Sequence, residues 1–253
     1  MALAGGWIDQ PFMSRINPEP PGSMVVVGLK PDFYFMERCG MATGTRNVAL
    51  RYWGADLPRR SPPELVRELY RAENQDKVDP SGSQDMIGLI YPGINRLDYD
   101  SNFESGIFPA HIETCIDPLV AGWLEQVIHV LPVQQRPPGY NPLEIKNLTA
   151  GWARRLGQSG KDCYAAILNQ DLQALGASFN ECMRCWETLL PCTVRHATIT
   201  IDLKGLLDVY QARYPGAMYS GCGGGYLFVA SAEPLPGAFQ VKVRTSEEAR
   251  VHG

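Results

Sequence analysis

The segment of residues 221–225 constrains the fold more than any other part of the sequence, because four of its five residues are glycine. The apolar run 226–230 follows at once and predicts a β-strand. Glycine permits positive φ angles and lets backbone N–H groups approach a ligand or a neighbouring chain segment closely. The segment therefore predicts either a ligand-binding loop before a strand or a tight structural turn, and the motif alone does not choose between them.

The composition is that of a globular protein and argues against two classes of partner. Of the 253 residues, 45% are hydrophobic and 20% are charged, which are ordinary values for a folded domain. The formal net charge of −4 supplies no positive patch of the kind that binds a nucleic-acid backbone or an anionic membrane. No apolar run approaches the roughly 20 residues that span a bilayer. We therefore expect neither nucleic acid nor membrane as a partner.

The cysteines indicate a reducing compartment. They number seven, an odd count, and no signal-peptide pattern opens the chain, so we expect a cytoplasmic location. Cys182 and Cys185 have the spacing of metal ligands, but no second Cys or His pair accompanies them. Because the surrounding pattern is helical, we interpret both as buried structural thiols.

The hydrophobic pattern predicts strands and helices in a mixed order. Apolar or β-branched runs predict strands, and apolar side chains spaced three or four residues apart predict helices. The predicted strands are 24–27, 33–36, 94–100, 127–133, 198–203 and 226–230. The predicted helices are 48–53, 62–74, 84–91, 141–156, 161–190 with an interruption near Gly176, and 206–214. This order indicates an α+β fold without regular βαβ alternation.

Two further segments have residue types suited to phosphate chemistry. Residues 40–45 are small and precede a helix, whose N-terminal N–H groups and positive dipole end attract anions. Asp85 opens another helix, with Glu73 in the helix before it. Asp85 is either a helix cap or, paired with Glu73, a proton acceptor beside a magnesium ligand. Neither a Walker-type loop nor a dinucleotide-binding glycine motif occurs.

The order of these segments resembles that of the galactokinase, homoserine kinase, mevalonate kinase and phosphomevalonate kinase (GHMP kinase) superfamily. Residues 3–11, Leu-Ala-Gly-Gly-Trp-Ile-Asp-Gln-Pro, look like the first motif of its sugar-kinase branch, in the form seen in heptose-phosphate and fucose kinases. Residues 84–95 are similar to the branch's Gln-Asp-Gln-Tyr-Ala-Ala segment, which ends in a Gly-x-Asn turn. Residues 169–180 resemble the C-terminal helical segment, and residues 221–225 match the third motif.

The resemblance implies an ATP- and Mg²⁺-dependent kinase that phosphorylates a hydroxyl of a sugar or sugar-like small molecule. Asp85 then corresponds to the catalytic aspartate, and Asp9 to the acidic residue that contacts sugar hydroxyls. The implied metal ligands are Glu73, Thr43 and Thr45. The implied substrate-binding residues are Asp9, Gly6, Trp7 and Arg136. The implied nucleotide-binding residues are Gly40, Met41, Ala42, Thr43, Gly44, Thr45, Gly221, Gly223 and Gly224.

The resemblance also implies a two-lobed fold. Residues 1–120 form an N-terminal lobe like the second domain of ribosomal protein S5, residues 121–245 a ferredoxin-like α/β C-terminal lobe, and residues 246–253 a polar tail. The N-terminal lobe is expected to be shortened, because the family's opening strand is missing and only residues 12–39 separate the first two motifs. A homodimer, in which a second copy of the chain supplies the missing strand, is one such arrangement.

The second motif departs from the family's Gly-Leu-Gly-Ser-Ser-Ala. Ala42 replaces the second glycine, Thr43 the first serine and Gly44 the second serine. A threonine hydroxyl is chemically equivalent to serine as a ligand, whereas Ala42 adds a methyl group where backbone approaches phosphate. The departure supports an alternative function, a catalytically impaired sugar- or nucleotide-binding protein on the same scaffold.

Overall fold

Two three-stranded antiparallel sheets and eight α-helices make up the part of the chain that the computed structural model describes, which is residues 1–30, 40–54, 56–77 and 80–246. The strands are β1 (Gly22–Val27), β2 (Ile94–Tyr99), β3 (His111–Cys115), β4 (Ile128–Gln134), β5 (Gly216–Tyr219) and β6 (Gly225–Ala230). The helices are α1 (Pro11–Ser14), α2 (Thr43–Trp53), α3 (Pro62–Asn74), α4 (Gln84–Ile90), α5 (Pro118–Val127), α6 (Ala150–Leu168), α7 (Leu172–Leu189) and α8 (Leu203–Arg213). The predicted strand 33–36 and the tail 247–253 lie outside the described residues. The prediction of an α+β fold is confirmed.

The first sheet has the strand order β1-β2-β3, and its β1 edge also pairs with the start of the chain. Leu3 N donates to Val25 O at 2.8 Å, and Val25 N donates to Ala4 O at 3.1 Å. This pairing fixes the direction in which the segment that follows, with Gly5 and Asp9, leaves the sheet.

Helix α6 packs directly on β1 because two of its residues lack side chains. A Cβ atom at Gly157 would lie 2.7 Å from the Cα of Gly22, and one at Gly160 would lie 2.7 Å from the Cα of Met24. Non-bonded carbon atoms do not approach one another this closely. Only glycine at these two positions therefore allows α6 to contact β1. All six residues of β1 are consequently buried.

The second sheet has the order β4-β6-β5 and supports the glycine segment. Strand β6 is buried along its whole length, and Ile128 pairs with Ala230 in the antiparallel register between β4 and β6. Residues 221–224 form the connection from β5 to β6, so this sheet anchors the connection at both ends.

Two predicted elements between residues 141 and 203 were wrong. Residues 141–149 form a loop and not a helical turn, since the Asn141 side chain accepts from Leu143 N at 3.0 Å, a bond that competes with the helix. The predicted strand 198–203 is also absent: residues 198–202 form a loop and Leu203 begins α8, which Asp202 caps by accepting from Gly205 N at 2.9 Å.

The helical interruption predicted near Gly176 lies instead at residues 169–171, between α6 and α7. Gln170 has a φ of 52°, and Asp171 caps α7 by accepting from Ala174 N at 3.0 Å. Gly176 stays helical because its missing side chain admits β5: a Cβ there would lie 2.6 Å from Gly216 N.

Most of the remaining predicted strands and helices within the described residues are confirmed within a few residues at their ends. The helix predicted at 48–53 begins earlier, at Thr43, and residues 157–160, predicted to separate two helices, belong to α6. Ser61 opens α3 as predicted, with its backbone N–H donating to the Glu64 carboxylate at 3.3 Å. The sequence reading missed α1, β3, α5 and β5. Strand β3 is an edge strand with no fully buried residue, so its apolar pattern is weak.

The cysteine pair lies where a structural role was expected. Cys182 and Cys185 are buried on α7, and burial raises the pKa of both thiols. No disulfide joins any two of the cysteines within the described ranges. Searching those same ranges finds no helix that is long and apolar enough to cross a membrane.

Candidate active site

One cavity of about 580 Å³ brings together residues from the three motifs and from the helices that carry Glu73 and Asp85. The segment 169–180 contributes no lining residue. The cavity wall is built from the turn before α1, the start of α2, the end of α3, the start of α4 and the glycine connection before β6. The lining residues that the sequence predicted are Gly6, Trp7, Asp9, Gly40, Ala42, Thr43, Gly44, Thr45, Glu73, Asp85, Arg136 and Gly221.

Three residues predicted to bind nucleotide lie outside this wall. Met41 is buried in the core, with 4% of its surface exposed. Gly223 donates its N–H to Thr193 O at 2.8 Å, and a Cβ on it would lie 2.6 Å from the Tyr140 ring. A Cβ on Gly224 would lie 2.8 Å from the Gln134 side chain. In the glycine connection, Gly221 therefore lines the cavity, and the later glycines form a tight turn.

Arg136 lies between the second and third motifs. Its Nε donates to Cys222 O at 2.7 Å, which fixes the guanidinium on the glycine connection. A Cβ on Gly40 would lie 2.6 Å from Arg136 Nη2, and one on Gly221 would lie 2.8 Å from the same atom. Both glycines have positive φ, at +91° and +105°. The cavity wall thus carries a guanidinium flanked by bare backbone, which suits phosphate oxygens.

Gly5 and Gly6 of the first motif, which precede Asp9, are hydrogen-bonded to α7. Trp186 Nε1 donates to Gly6 O at 3.0 Å, and Gly5 N donates to Cys182 Sγ at 3.4 Å. Trp7, between them and Asp9, has a φ of 81°. The turn therefore directs the Asp9 side chain into the protein and not toward solvent.

Asp9 is a buried carboxylate without a completed hydrogen bond. Only 1% of the residue is exposed, and neither carboxylate oxygen has a partner among the described residues. The pKa of Asp9 is raised to about 7, mainly by burial and secondly by the charge of Asp85. Backbone amides of Trp7 and Gln84 lie near and offset part of this rise in pKa, although neither completes a hydrogen bond. Such an acid is ready to bind hydroxyl groups.

Asp85 lies in the first turn of α4 and lines the same cavity. The pKa of Asp85 is raised to about 6, mainly by burial and to a smaller extent by the nearby Glu73 carboxylate. The amino group of Met1, Arg136 and Lys77 act in the opposite direction on this pKa. A carboxylate with a pKa just below neutral is largely ionised at pH 7 and basic enough to accept a proton.

Glu73 has one oxygen paired and one unpaired. Its Oε1 accepts from Lys77 Nζ at 2.9 Å, and Lys77 also donates to Ser81 Oγ at 2.7 Å. The Oε2 atom is buried and has no partner among the described residues. Magnesium is usually held by one or two carboxylates together with substrate phosphates. Glu73 and the hydroxyls at the start of α2 fit such a site, although no cluster of three His, Cys, Asp or Glu ligands exists in the described ranges.

Several cavity residues were missed by the sequence reading: Gln10, Phe12, Arg15, Tyr70, Gln84, Lys146, Trp186 and Cys222. Gln84 adjoins Asp85 and has a buried Oε1 without a partner in the described structure, so its position beside the acid was an available signal. Lys146 had no such signal, because it was placed in a helix that is a loop.

Sequence comparison finds no relative: no protein-family model matches the chain, and no curated protein matches it. Solved structures do match. A D-glycero-D-manno-heptose 1-phosphate kinase from Bacteriodes thetaiotaomicron is 12% identical with a TM-score of 0.53, over 96% of this chain and 94% of that one. A putative sugar kinase from Campylobacter jejuni is 13% identical with a TM-score of 0.50, over 85% of this chain and 63% of that one.

A third solved structure, the Lin0012 protein from Listeria innocua, is 13% identical with a TM-score of 0.50, over 92% of this chain and 88% of that one. Similarity at such low identity concerns the fold, not the reaction. The fold resemblance that the motifs predicted is confirmed, and the chain has the fold of the GHMP kinases.

Proposed function

We propose that this protein is a kinase that transfers the γ-phosphoryl group of ATP, with Mg²⁺, to a hydroxyl of a sugar or sugar-like small molecule. The observation that carries the proposal is the convergence of Asp9, Glu73 and Asp85 with two bare-backbone segments on one cavity of about 580 Å³. Phosphoryl transfer asks a protein mainly to position its reactants and to neutralise charge, and this wall has groups for both tasks.

The nucleotide phosphates are proposed to lie where α2 begins. The N-terminal N–H groups of a helix and its positive dipole end favour a phosphate. Gly40 and Gly221 add bare backbone, and Arg136 adds a fixed cation between them. Glu73, with Thr43 or Thr45, would hold Mg²⁺, which when bound neutralises charge on the phosphate oxygens.

The acceptor is proposed to lie between two acids. Asp9 accepts a hydrogen bond from one acceptor hydroxyl, which completes its unsatisfied carboxylate. Asp85 accepts the proton of the attacking hydroxyl, for which its pKa of about 6 is suited. Gly82 is required beside Asp9, because a Cβ at that position would lie 2.5 Å from the carboxylate carbon.

We also propose the division of the scaffold at residue 120 and a cytoplasmic location. The first sheet ends at Cys115 and the second begins at Ile128, which supports a division between them, although residue 120 itself lies inside α5. The described cysteines are all free thiols, as expected in a reducing compartment.

A second function, sugar or nucleotide binding without turnover, is favoured by two observations. Ala42 has a left-handed backbone, with φ of 56°, and contributes a methyl group to the phosphate-binding segment. Lys77 is paired with the proposed metal ligand Glu73. ADP release with a panel of sugars, run beside calorimetric binding of ATP, separates the two functions. Sugar binding without ATP affinity or ADP release would favour the second.

Replacing Lys77 by Met is expected to tighten Mn²⁺ binding, because it removes a cation that competes for Glu73. The pair is partly exposed, so we expect about a five- to tenfold lower dissociation constant. Electron paramagnetic resonance with Mn²⁺ and a non-hydrolysable ATP analogue measures this directly. Ser81→Ala is the matched control, since it removes the other Lys77 contact and leaves the charge in place. Unchanged Mn²⁺ affinity in Lys77→Met would remove Glu73 from the metal site.

A further inference from the structure

Arg244 is a buried cation that has no acidic partner among the described residues. Only 5% of the residue is exposed, and burial lowers the pKa of its guanidinium to about 10, so it stays charged near neutral pH. Its Nη2 donates to Leu89 O at 2.9 Å and to Tyr91 O at 3.0 Å. Its Nε is buried and has no hydrogen-bond partner in the described structure. Burying a guanidinium without an acid is costly, and the two carbonyl contacts are what this burial provides.

The two carbonyl acceptors belong to the C-terminal end of α4, the helix that carries Asp85. Leu89 lies in the last turn of this helix, and Tyr91 is the residue that ends it. The last carbonyl groups of a helix have no partner within the helix and form its negative dipole end, which a cation neutralises. Asp85 lies one turn before Leu89, about 6 Å along the helix axis. A shift of the helix end therefore moves the carboxylate as well.

The backbone of Arg244 is itself fixed between the first two strands. Its N–H donates to Gly28 O at 2.9 Å, and its carbonyl oxygen accepts from Gly93 N at 2.6 Å. Gly28 directly follows β1, and Gly93 directly precedes β2. A Cβ at Gly28 would lie 2.6 Å from Tyr91 O and 3.4 Å from Arg244 Nη2. The missing side chain of Gly28 thus allows the guanidinium and the end of α4 to lie side by side.

The residue before Arg244 attaches the same segment to α5. Val243 is buried, and its N–H donates to the Glu125 carboxylate at 2.8 Å. Glu125 lies on α5, the helix that leads into the second sheet. The guanidinium therefore reaches α4 from a chain segment that is hydrogen-bonded on two sides, which makes it a rigid support for the helix end.

We propose that Arg244 is a positioning residue for phosphoryl transfer, which fixes the C-terminal end of α4 and thereby the place of the Asp85 carboxylate in the cavity. The inference rests on the proposed function, in which Asp85 accepts the proton of the attacking hydroxyl. Arg244 does not line the cavity, so it acts through the helix and not through contact with a substrate. A displacement of a reacting group by about 1 Å lowers turnover on the order of a hundredfold.

Arg244→Met is the first test, because methionine is a long side chain without a charge or a donor. Hydrogen–deuterium exchange of residues 84–91 is expected to become about tenfold faster, with no change in α6 and α7. ADP release with Mg²⁺ and a panel of sugars is expected to show a kcat about thirtyfold lower. The KM values for ATP and acceptor should change less than about threefold, because Asp9 and Arg136 belong to other segments. Each kcat is divided by the fraction of molecules that bind an ATP analogue in calorimetry, so unfolded protein does not imitate the effect.

Two further variants separate positioning from a general loss of stability. Arg244→Lys keeps a cation that donates to the carbonyls, and it should restore kcat to within about fivefold of the unaltered protein. Lys242→Met is the matched control, because it removes a cation two residues away whose partner is Glu125 at 2.7 Å, on α5 and not on α4. It should leave both the exchange of residues 84–91 and kcat unchanged.

Unchanged exchange of residues 84–91 in Arg244→Met overturns the inference. Faster exchange with an unchanged kcat also overturns it, as does a loss of kcat that Arg244→Lys does not restore. If Arg244→Met does not fold, Arg244→Gln, which keeps one donor for the carbonyls, is measured in the same way. If the unaltered protein releases no ADP, the proposed function fails and the role of Arg244 toward Asp85 fails with it, whereas the exchange measurement still shows whether Arg244 fixes α4.

Discussion

Asp85→Asn is expected to lower kcat by about a thousandfold while leaving the affinities for ATP and acceptor nearly unchanged. Asparagine keeps the size of the side chain in the first turn of α4 but does not accept a proton at the attacking hydroxyl. Because burial raises the pKa of the Asp85 carboxyl, its replacement by a neutral group should not destabilise the fold. Steady-state ADP release and calorimetric ATP binding together measure the two halves of this prediction.

Asp162→Asn provides the matched control for Asp85→Asn. Asp162 is exposed on α6 and accepts from Gln158 at 2.7 Å, away from the cavity wall. It should leave kcat unchanged. A kcat for Asp85→Asn within a few fold of the unaltered protein would show that Asp85 is not the proton acceptor; it is not the cap of α4 either, since Ser83 is the N-cap residue.

Asp9→Asn is expected to stabilise the fold at alkaline pH and to weaken acceptor binding. The folded pKa of Asp9 is about 7, against 3.8 for an exposed aspartate. Below about pH 4 the Asp9 carboxyl is protonated in both the folded and the unfolded protein, so it does not lower the free energy of unfolding. As the pH rises toward 7, Asp9 ionises in the unfolded protein before it ionises in the folded protein. The free energy of unfolding therefore falls. Once the pH is above the folded pKa this loss is complete and on the order of 4 kcal/mol, because the pKa rises from 3.8 to about 7.

Urea denaturation at pH 4 and pH 8 measures this difference in the free energy of unfolding. The Asp9→Asn variant should match the unaltered protein at pH 4 and exceed it at pH 8. Its KM for the acceptor should rise while its affinity for ATP stays constant, because the lost group faces the acceptor. A stability difference that does not change between the two pH values would contradict the burial of an ionisable Asp9, as would a loss of ATP affinity.

The sequence was sufficient to predict the candidate site residues that belong to short contiguous motifs. Asp9 and Asp85 each belong to a local run with a recognisable residue order, and the structure places both on one cavity. Capping signals were equally local: Ser61 and Glu64 are three residues apart and fix the start of α3. Such signals survive at low sequence identity, because they depend on the chemistry of a few neighbouring residues.

The sequence was insufficient where position depends on contacts between distant residues. Arg15 and Lys146 meet the same cavity although 131 positions separate them, and no local pattern pairs them. Gly176 looked like a helix break, yet its missing side chain serves a contact with β5. The ion pair of Lys77 with Glu73 depends on how α3 ends, which hydrophobic periodicity does not specify. These features require the tertiary structure.

Transfer of an isotopically labelled phosphoryl group tests the central claim most directly. The unaltered protein is incubated with Mg²⁺, γ-¹⁸O-labelled ATP and a small-molecule extract of cells, and phosphorylated sugars are analysed by mass spectrometry. The account predicts a labelled sugar-like phosphate that forms with the unaltered protein and is lost with Asp85→Asn. ATP binding without any labelled small molecule, or an equal yield from Asp85→Asn, would contradict it.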